Sequence, residues 1–308
     1  MDAAAAAAPP AASLRLGLPT GSQPRLTLSA LWQGPADPAM RFLAGEVLRA
    51  THMKGGPATL RLRFTADEAV AEAWGQGAHD ALERVPALLG LLDEPSHLSP
   101  QDRLVGELAR RFAGLRMTRA GSVYEPLLVT IIGQKLTSFE ARRSYRRLLQ
   151  RWGRPAPGPG GLLLAPAPEQ LARLPYHLLH PLGLERRRAD ALRAAAGAAR
   201  ALQRLADERP EGLGRALASV PGIGPWSTAE VLRLSLGDPD AVSLGDYNLP
   251  NLVGWALAGE RRANDARMLE LLEPYRGQRA RVVRLIELSG LSPARRGPRL
   301  APRSIASI

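Results

Sequence analysis

Two glycines flanking one isoleucine, set between two helical stretches, constrain this chain more than any other feature. Residues 220–225 read Val-Pro-Gly-Ile-Gly-Pro, and apolar residues with helical spacing occupy 212–219 and 225–236. Glycine permits positive φ at Gly222 or Gly224, and proline suits the first turn of the second helix. The pattern therefore predicts a tight hairpin between two helices, with the isoleucine packed inward.

A hairpin of this kind can hold a phosphate. Backbone N–H groups at Gly222, Ile223 and Gly224 can approach an anion closely, and the following helix adds free N–H groups and a positive dipole end. Such contacts grip the DNA backbone without reading sequence. An ordinary loop between two core helices fits the same six residues equally well.

The net charge of +12 and the pI of about 11.1 favour polyanionic partners. Only Lys54 and Lys135 are lysines, so the positive charge is almost all arginine, and a GC-rich coding bias explains it as well as nucleic-acid binding does. The absence of cysteine excludes disulfides, thiolate catalysis and cysteine-ligated zinc or iron–sulfur clusters.

The first third of the chain predicts a small α+β domain over residues 14–98, after a disordered lead-in at 1–13. Residues 59–64 alternate apolar and polar side chains, as a half-buried strand does. Weaker strand candidates are 25–28 and 46–51, and residues 67–92 have a helical pattern, so that the segment as a whole mixes strands and helices.

Strand signals almost vanish in residues 99–290, which predict a helical domain; residues 291–308 predict a loose basic tail. The connectors are rich in glycine and proline, most clearly at 153–168. No apolar run is long enough to span a membrane, and we expect a cytoplasmic protein. The predicted helices are 101–112, 122–132, 138–151, 184–202, 212–219, 225–236, 247–257 and 279–288.

The residues after the hairpin resemble a known signature. Residues 221–229, Pro-Gly-Ile-Gly-Pro-Trp-Ser-Thr-Ala, are similar to the helix–hairpin–helix (HhH-GPD) DNA glycosylase superfamily, and the segment aligns without a gap to the bacterial 3-methyladenine DNA glycosylase II type. Residues 245–247, Gly-Asp-Tyr, resemble the family's Asp-Asp-Tyr at the family's spacing. The resemblance implies that Asp246 is the catalytic aspartate.

Further matches extend the resemblance over residues 114–288. Residues 131–134 are similar to the family's DNA-wedge loop, 180–184 to its Leu-Gly-Leu helix entry, and 273–276 to a Lys-Pro-Trp-Arg motif. The resemblance implies a mainly α fold, with a two-lobed helical glycosylase core preceded by the small α+β domain.

A carboxylate at Asp246 suits glycosidic cleavage, because the sugar acquires oxocarbenium character that a nearby negative charge stabilises. The other use of an aspartate before a helix is to cap it, and the two roles are compatible. Glycosylases that also nick the backbone use a lysine as a Schiff-base nucleophile. The resemblance places that lysine at Trp226, so we expect a monofunctional enzyme without lyase activity.

The resemblance also implies a pocket for a flipped base. Trp226 and Tyr275 stand at aromatic positions of the family, and Tyr247 adds a third ring, although core packing explains each aromatic as well. Electron-rich rings attract a cationic alkylated purine. Glu230 stands where the family has a pocket tyrosine. Its carboxylate would either favour cationic bases or point to solvent.

A side chain fills the gap that a flipped base leaves in the duplex. Gln134, Lys135 and Leu136 match the wedge loop, but Lys135 occupies the position of the family's leucine. We therefore expect Leu136 to intercalate. A turn between two core helices is the alternative reading of this segment.

These observations predict a DNA glycosylase that removes alkylated purines such as 3-methyladenine and 7-methylguanine in base excision repair. Its partner would be double-stranded DNA with damaged bases. We expect the protein to act as a monomer and not to associate with membranes. No cofactor would be required, and the resemblance makes a monovalent cation on hairpin carbonyls plausible. The alternatives are a non-catalytic DNA-binding protein with the same hairpin and a glycosylase for another damaged base.

Overall fold

The computed structural model of the protein describes residues 9–292. A five-stranded sheet with three short helices precedes a mainly helical region, which confirms the predicted fold class. The strands are β1 (Ala12–Gly17), β2 (Met40–Leu43), β3 (Glu46–Met53), β4 (Gly56–Phe64) and β5 (Glu68–Trp74), and the helices are α1 (Pro24–Leu28), α2 (Ala78–Glu83) and α3 (Val85–Leu88).

The sheet is antiparallel throughout, in the order β1-β5-β4-β3-β2. The central pairing of β4 with β5 places Leu62 opposite Ala71. Ala69, Ala71 and Ala73 alternate along β5 and are fully buried, whereas Glu72 faces outward and pairs with Arg61 on β4. One face of the sheet is therefore apolar and covered, as period-2 alternation requires.

Three sequence predictions in this region were wrong. Residues 67–92 were expected to be helical, but their first part forms β5, because pairing with β1 and β4 overrides the helix preference of its alanines. Residues 25–28, expected as a strand, lie in α1, where Pro24 occupies the first turn. The disordered lead-in predicted at 1–13 overlaps the first strand, because β1 begins at Ala12.

The helical region has two apolar cores. One is built by the helices from α5 to α11, and the other by α4 together with α12, α13 and α14, so that the chain leaves the second lobe after α4 and returns to it at the end. The helices are α4 (Arg103–Arg111), α5 (Tyr124–Gly133), α6 (Ser138–Trp152), α7 (Pro168–Arg173), α8 (Tyr176–Leu179), α9 (Arg186–Glu208), α10 (Leu213–Ala218), α11 (Pro225–Leu236), α12 (Leu249–Ala258), α13 (Asp265–Leu272) and α14 (Arg279–Ser289).

The connector predicted at 153–168 is partly structured. Its strands β6 (Arg154–Pro155) and β7 (Leu163–Leu164) pair with each other, and Leu162 packs on Leu48 of β3. The basic tail predicted at 291–308 lies outside the described residues from 293 onward. Between residues 9 and 292, no helix is long and apolar enough to cross a membrane.

Glu125, in the first turn of α5, joins the sheet to the helical region. Its carboxylate accepts hydrogen bonds from Arg49 (2.8 Å), from the Thr51 hydroxyl (2.8 Å) and from the His52 N–H (2.9 Å), all on β3. The His52 ring also contacts the Ala165 carbonyl at 2.8 Å. A carboxylate with three donors compensates the cost of burying Arg49, whose side chain is 6% exposed.

Asp37 lies beside this junction and is 5% exposed. Burial raises the pKa of its carboxyl to about 6, against the opposing effect of hydrogen bonds from the N–H groups of Gln33, Ala39 and Met40. The folded protein therefore holds a proton on Asp37 more tightly than the unfolded chain does. The resulting contribution to stability is present below the ordinary pKa of 3.8 and is lost as the pH rises through about 6.

We expect Asp37→Asn to remove this pH dependence. The difference in unfolding free energy between wild type and variant should change by on the order of 2 kcal/mol between about pH 4 and pH 7. Wild type should be relatively more stable at the acidic end. Urea unfolding at several pH values measures the difference. A difference that stays constant across this window would contradict the assignment.

Candidate active site

The predicted hairpin joins α10 to α11. Gly222 has a φ of +86°, and a Cβ atom on it would lie 2.5 Å from the Cβ atom of Ala191 in α9, so only glycine fits. Ile223 is 7% exposed and packs in the core of its lobe, which confirms its predicted inward position. Gly224 has a φ of −103°, and a Cβ atom there would meet nothing within 4 Å. The close approach is thus required at Gly222, and open space lies at Gly224.

The start of α11 is open to an anion. Gly224 is its N-cap residue, Pro225 stands in its first turn, and no side chain caps its first N–H groups. Free N–H groups at an exposed helix N-terminus, beside a glycine without side-chain bulk, form a phosphate-binding geometry.

The hairpin carbonyls are partly occupied. The Gly222 carbonyl accepts a hydrogen bond from the Gln134 side chain, and the Val220 carbonyl accepts one from the Ile223 N–H at 3.0 Å. A carbonyl oxygen has two lone pairs, so each retains one for a monovalent cation. Throughout residues 9–292, no group of three or more acidic or histidine side chains is arranged to hold a metal ion.

The predicted wedge loop, residues 134–136, lies against the hairpin. The Gln134 amide nitrogen donates to the Gly222 carbonyl and to the Ser227 hydroxyl, both at 2.9 Å. Lys135 is exposed and has a φ of +54°, the one positive φ at a non-glycine residue between 9 and 292. Leu136 is half-buried. The tip of the loop is therefore Lys135, with the expected intercalator next to it.

Phe139, three residues beyond this loop, was missed by the sequence analysis. It is 62% exposed in the first turn of α6, and the Arg143 guanidinium lies 5.8 Å from its ring centroid. The available signal was an aromatic residue whose neighbours three and four positions later, Arg142 and Arg143, are both arginine. Such spacing leaves the ring without an apolar partner on its own helix.

Asp246 lies just before α12 and is held by three N–H donors. One carboxylate oxygen accepts from the N–H groups of Asn248 (2.8 Å) and Leu249 (2.9 Å), and the other accepts from the Trp226 indole at 3.0 Å. The first pair of contacts is the helix-capping role weighed from the sequence. The Trp226 contact joins this carboxylate to α11, immediately after the hairpin.

A cavity of about 230 Å³ opens beside Asp246, between α11, α12 and α14. Leu249, Leu252 and Val283 supply apolar wall. Besides Asp246 and Asn248, its polar side chains comprise two carboxylates, two guanidinium groups and one hydroxyl: Glu230, Glu287, Arg233, Arg284 and Ser243.

Glu230 faces this cavity with 21% of its side chain exposed, so it does not simply point to solvent, which was one of its two predicted alternatives. Its carboxylate accepts from Arg233 at 2.6 Å and from the Ser243 hydroxyl at 2.5 Å. Burial acts to raise the pKa of Glu230, but the charge of Arg233 and these hydrogen bonds lower it below its usual value. The carboxylate is therefore ionised and paired. Sequence reasoning missed Arg233, which lies one turn after Glu230 on the same helix.

The three predicted pocket aromatics do not lie together. Trp226 is half-buried against Asp246, whereas Tyr247 is 90% exposed. Tyr275 is 3% exposed in the core of its lobe and does not line the cavity, which corrects the expectation that it forms a pocket wall. Burial, with the neighbouring Asp102 carboxylate, raises the pKa of Tyr275 to about 12, so that its hydroxyl remains a donor to Asp102.

Known proteins support this description of the fold. No family model matches the chain. A Bacillus subtilis (strain 168) protein, YfjP, assigned by name to the DNA-3-methyladenine glycosylases, is 30% identical over 145 residues, which cover 46% of this chain and 50% of that protein. The chain thus matches half the length of this relative.

Solved structures extend the likeness to most of the chain. A 3-methyladenine DNA glycosylase from Archaeoglobus fulgidus has a TM-score of 0.75 at 21% identity, covering 90% of this chain and 98% of that chain. An 8-oxoguanine glycosylase/lyase from Clostridium acetobutylicum, in complex with double-stranded DNA, has a TM-score of 0.67 at 13% identity, covering 91% and 95%. At these identities the likeness concerns the fold. The chain therefore has the fold of these DNA glycosylases, and about half of it is also similar in sequence to a protein named as one.

Proposed function

We propose that the protein is a monofunctional DNA glycosylase that flips alkylated purines, of the 3-methyladenine and 7-methylguanine type, out of the duplex and cleaves their glycosidic bond. The observation that carries this proposal is the position of Asp246. Its carboxylate stands at the edge of a cavity large enough for a base and is joined through Trp226 to a helix that begins at the phosphate-binding hairpin. The name of the Bacillus subtilis relative supports the same reaction class.

Asp246 would act on the sugar. As the bond to the base lengthens, its electron pair moves to the purine and positive charge develops on the deoxyribose, where a fixed carboxylate lowers the energy of the transition state. Solvent water then adds to the sugar carbon and loses a proton, which leaves the abasic site. Three N–H donors hold this carboxylate, so little reorganisation is needed during the reaction. An alkylated purine carries positive charge that the departing electron pair neutralises, and no strong general acid is required.

The DNA would be held by two adjacent elements. The hairpin N–H groups around Gly224 and the first turn of α11 would bind backbone phosphate, and a monovalent cation on the hairpin carbonyls would add positive charge there. The loop at Gln134, Lys135 and Leu136, fastened to the same hairpin, would enter the gap in the duplex. The Phe139 ring is a further apolar group exposed beside that loop. We propose that the protein acts as a monomer, with no cofactor required.

Backbone cleavage would need an amine that attacks the sugar. Trp226 occupies the position of that amine in the resemblance, and its indole donates to Asp246. Lys54 lies in the turn between β3 and β4, remote in the chain from the cavity, and Lys135 lies at the tip of the wedge loop. Neither lysine lines the cavity.

Replacing the carboxylate tests the catalytic assignment. We expect Asp246→Asn to lower the rate of base release from methylated duplex DNA by roughly a hundredfold or more, because the amide carries no charge to stabilise the sugar. Chromatography of the released 3-methyladenine and 7-methylguanine measures the rate. The control is Asp207→Asn, an aspartate on α9 paired with Arg84, which should retain activity. Wild-type rates in Asp246→Asn, or no release by wild type, would refute the proposal.

Two glycine variants separate DNA binding from folding. Gly224→Ala should fold normally but bind duplex DNA roughly tenfold more weakly, because a methyl group would obstruct the phosphate approach. Gly222→Ala should lower the unfolding free energy by about 1–3 kcal/mol, because its Cβ atom would overlap Ala191. Fluorescence anisotropy and urea unfolding measure the two effects. Unchanged DNA affinity in Gly224→Ala would remove the hairpin from the interface.

The absence of lyase chemistry has its own test. We expect wild-type enzyme to leave methylated duplex unbroken until the product is treated with alkali, which then cuts at each abasic site. Borohydride added during the reaction should trap no covalent protein–DNA adduct, because no amine attacks the sugar. Strand breaks from enzyme alone, or a trapped adduct, would contradict the monofunctional assignment, and loss of the adduct in Lys135→Ala would locate the amine.

A further inference from the structure

Two polar residues of the cavity wall, Glu230 and Arg233, share one face of α11 with Trp226, which contacts Asp246. Trp226, Glu230 and Arg233 are four and three residues apart, which places them on the same side of the helix at successive turns. Trp226 contacts Asp246, and Glu230 lies roughly 6 Å further along the axis. Along this face of α11, the residue that contacts the Asp246 carboxylate is therefore followed by the Glu230–Arg233 ion pair on the cavity wall.

This ion pair presents one acceptor next to one donor. Each Glu230 carboxylate oxygen has one contact, from Arg233 or from Ser243, and retains lone-pair capacity. The Arg233 guanidinium has five N–H donors, more than the Glu230 contact uses. Because the opposite charges neutralise each other, a ligand would interact with this pair mainly through hydrogen bonds and not through a net charge.

A purine in the cavity would present a defined edge to the pair. Its N9 is bonded to the sugar and so must lie toward Asp246, and its Watson–Crick edge lies across the ring from N9. That edge is where enzymes read a flipped base by hydrogen bonds. In a 6-oxopurine it carries the O6 acceptor beside the N1–H donor, with a second donor at N2 in guanine. A 6-aminopurine has the reverse order, with an N6 donor beside the N1 acceptor.

We propose that the Glu230–Arg233 pair recognises the Watson–Crick edge of a 6-oxopurine, so that this enzyme prefers 7-methylguanine to 3-methyladenine. Arg233 donates to O6, and Glu230 accepts from N1–H and from the 2-amino group. A 6-aminopurine would instead place its amino group against the guanidinium and its N1 lone pair against the carboxylate. The inference rests on the proposed function, and it names the substrate class of the same site.

The decisive variant is Glu230→Gln. Because Arg233 has only N–H donors, the amide oxygen of the glutamine would face Arg233. The amide N–H₂ group would then take the place of the carboxylate oxygen that accepts from N1–H of the purine. We expect the ratio of 7-methylguanine to 3-methyladenine released from methylated DNA to fall roughly tenfold to hundredfold, which corresponds to one bidentate contact. The control is Glu273→Gln, which changes a carboxylate that is paired with Arg276 outside the cavity and should leave the ratio within about twofold. An unchanged ratio in Glu230→Gln overturns the inference while leaving the glycosylase assignment intact.

A binding measurement separates recognition from catalysis. Free 7-methylguanine at millimolar concentration should raise the melting temperature of wild type more than free 3-methyladenine does, and Glu230→Gln should lose this difference. The charge of Glu287 also acts on Arg233, so the variant does not leave that guanidinium without a carboxylate nearby. Equal shifts by the two bases in wild type would overturn the inference even where base release is observed. If wild type binds 7-methylguanine preferentially and Glu230→Gln abolishes that preference, the inference is supported even when no base is released. The lack of base release would then refute only the proposed reaction.

Discussion

The contact of Gly222 with Ala191 is the constraint on which the rest of the site depends. It lets the hairpin lie directly on α9, and the Gly222 carbonyl is then in reach of Gln134 at the end of α5. One turn into α11, Trp226 reaches Asp246 in front of α12. Elements from three distant parts of the chain therefore meet at one place because two backbones approach closely.

The sheet supports this arrangement from behind. Glu125 begins α5 and is bound by three donors on β3, while the other end of the same helix leads into Gln134. A helix anchored at its first turn and fastened at its last cannot easily shift along its axis. The N-terminal region, for which the sequence showed no functional motif, thus has a positioning role that only its contacts reveal.

The sequence predicted the parts of the site that depend on local pattern. Glycine spacing predicted the hairpin that the structure shows. The resemblance singled out Asp246 and Trp226, whose side chains are joined by a hydrogen bond. The partners of Glu230 were out of reach, because Ser243 comes from a loop whose path is set by tertiary packing. Tyr275 shows the opposite failure, since an aromatic residue at a family position is here part of the lobe core.

The sheet was the least predictable part of the fold. The alternating alanines of β5 are strong helix formers, and only their pairing with two neighbouring strands makes them extended. Helices α5, α6 and α11 were placed to within two residues, because each combines a long periodic pattern with a recognisable end.

The double contact of Gln134 has a consequence for how damage would be found. One amide binds both the hairpin carbonyl and Ser227, and Trp226 in the next turn binds Asp246, so that the loop at 134–136, the hairpin and the Asp246 carboxylate are held to one another by hydrogen bonds. A stiff protein surface leaves the bending and unstacking to the duplex, whose resistance varies with sequence and with damage. Lesions that loosen base stacking would then be admitted more readily, and DNA mechanics would discriminate before any atom of the base reaches the cavity.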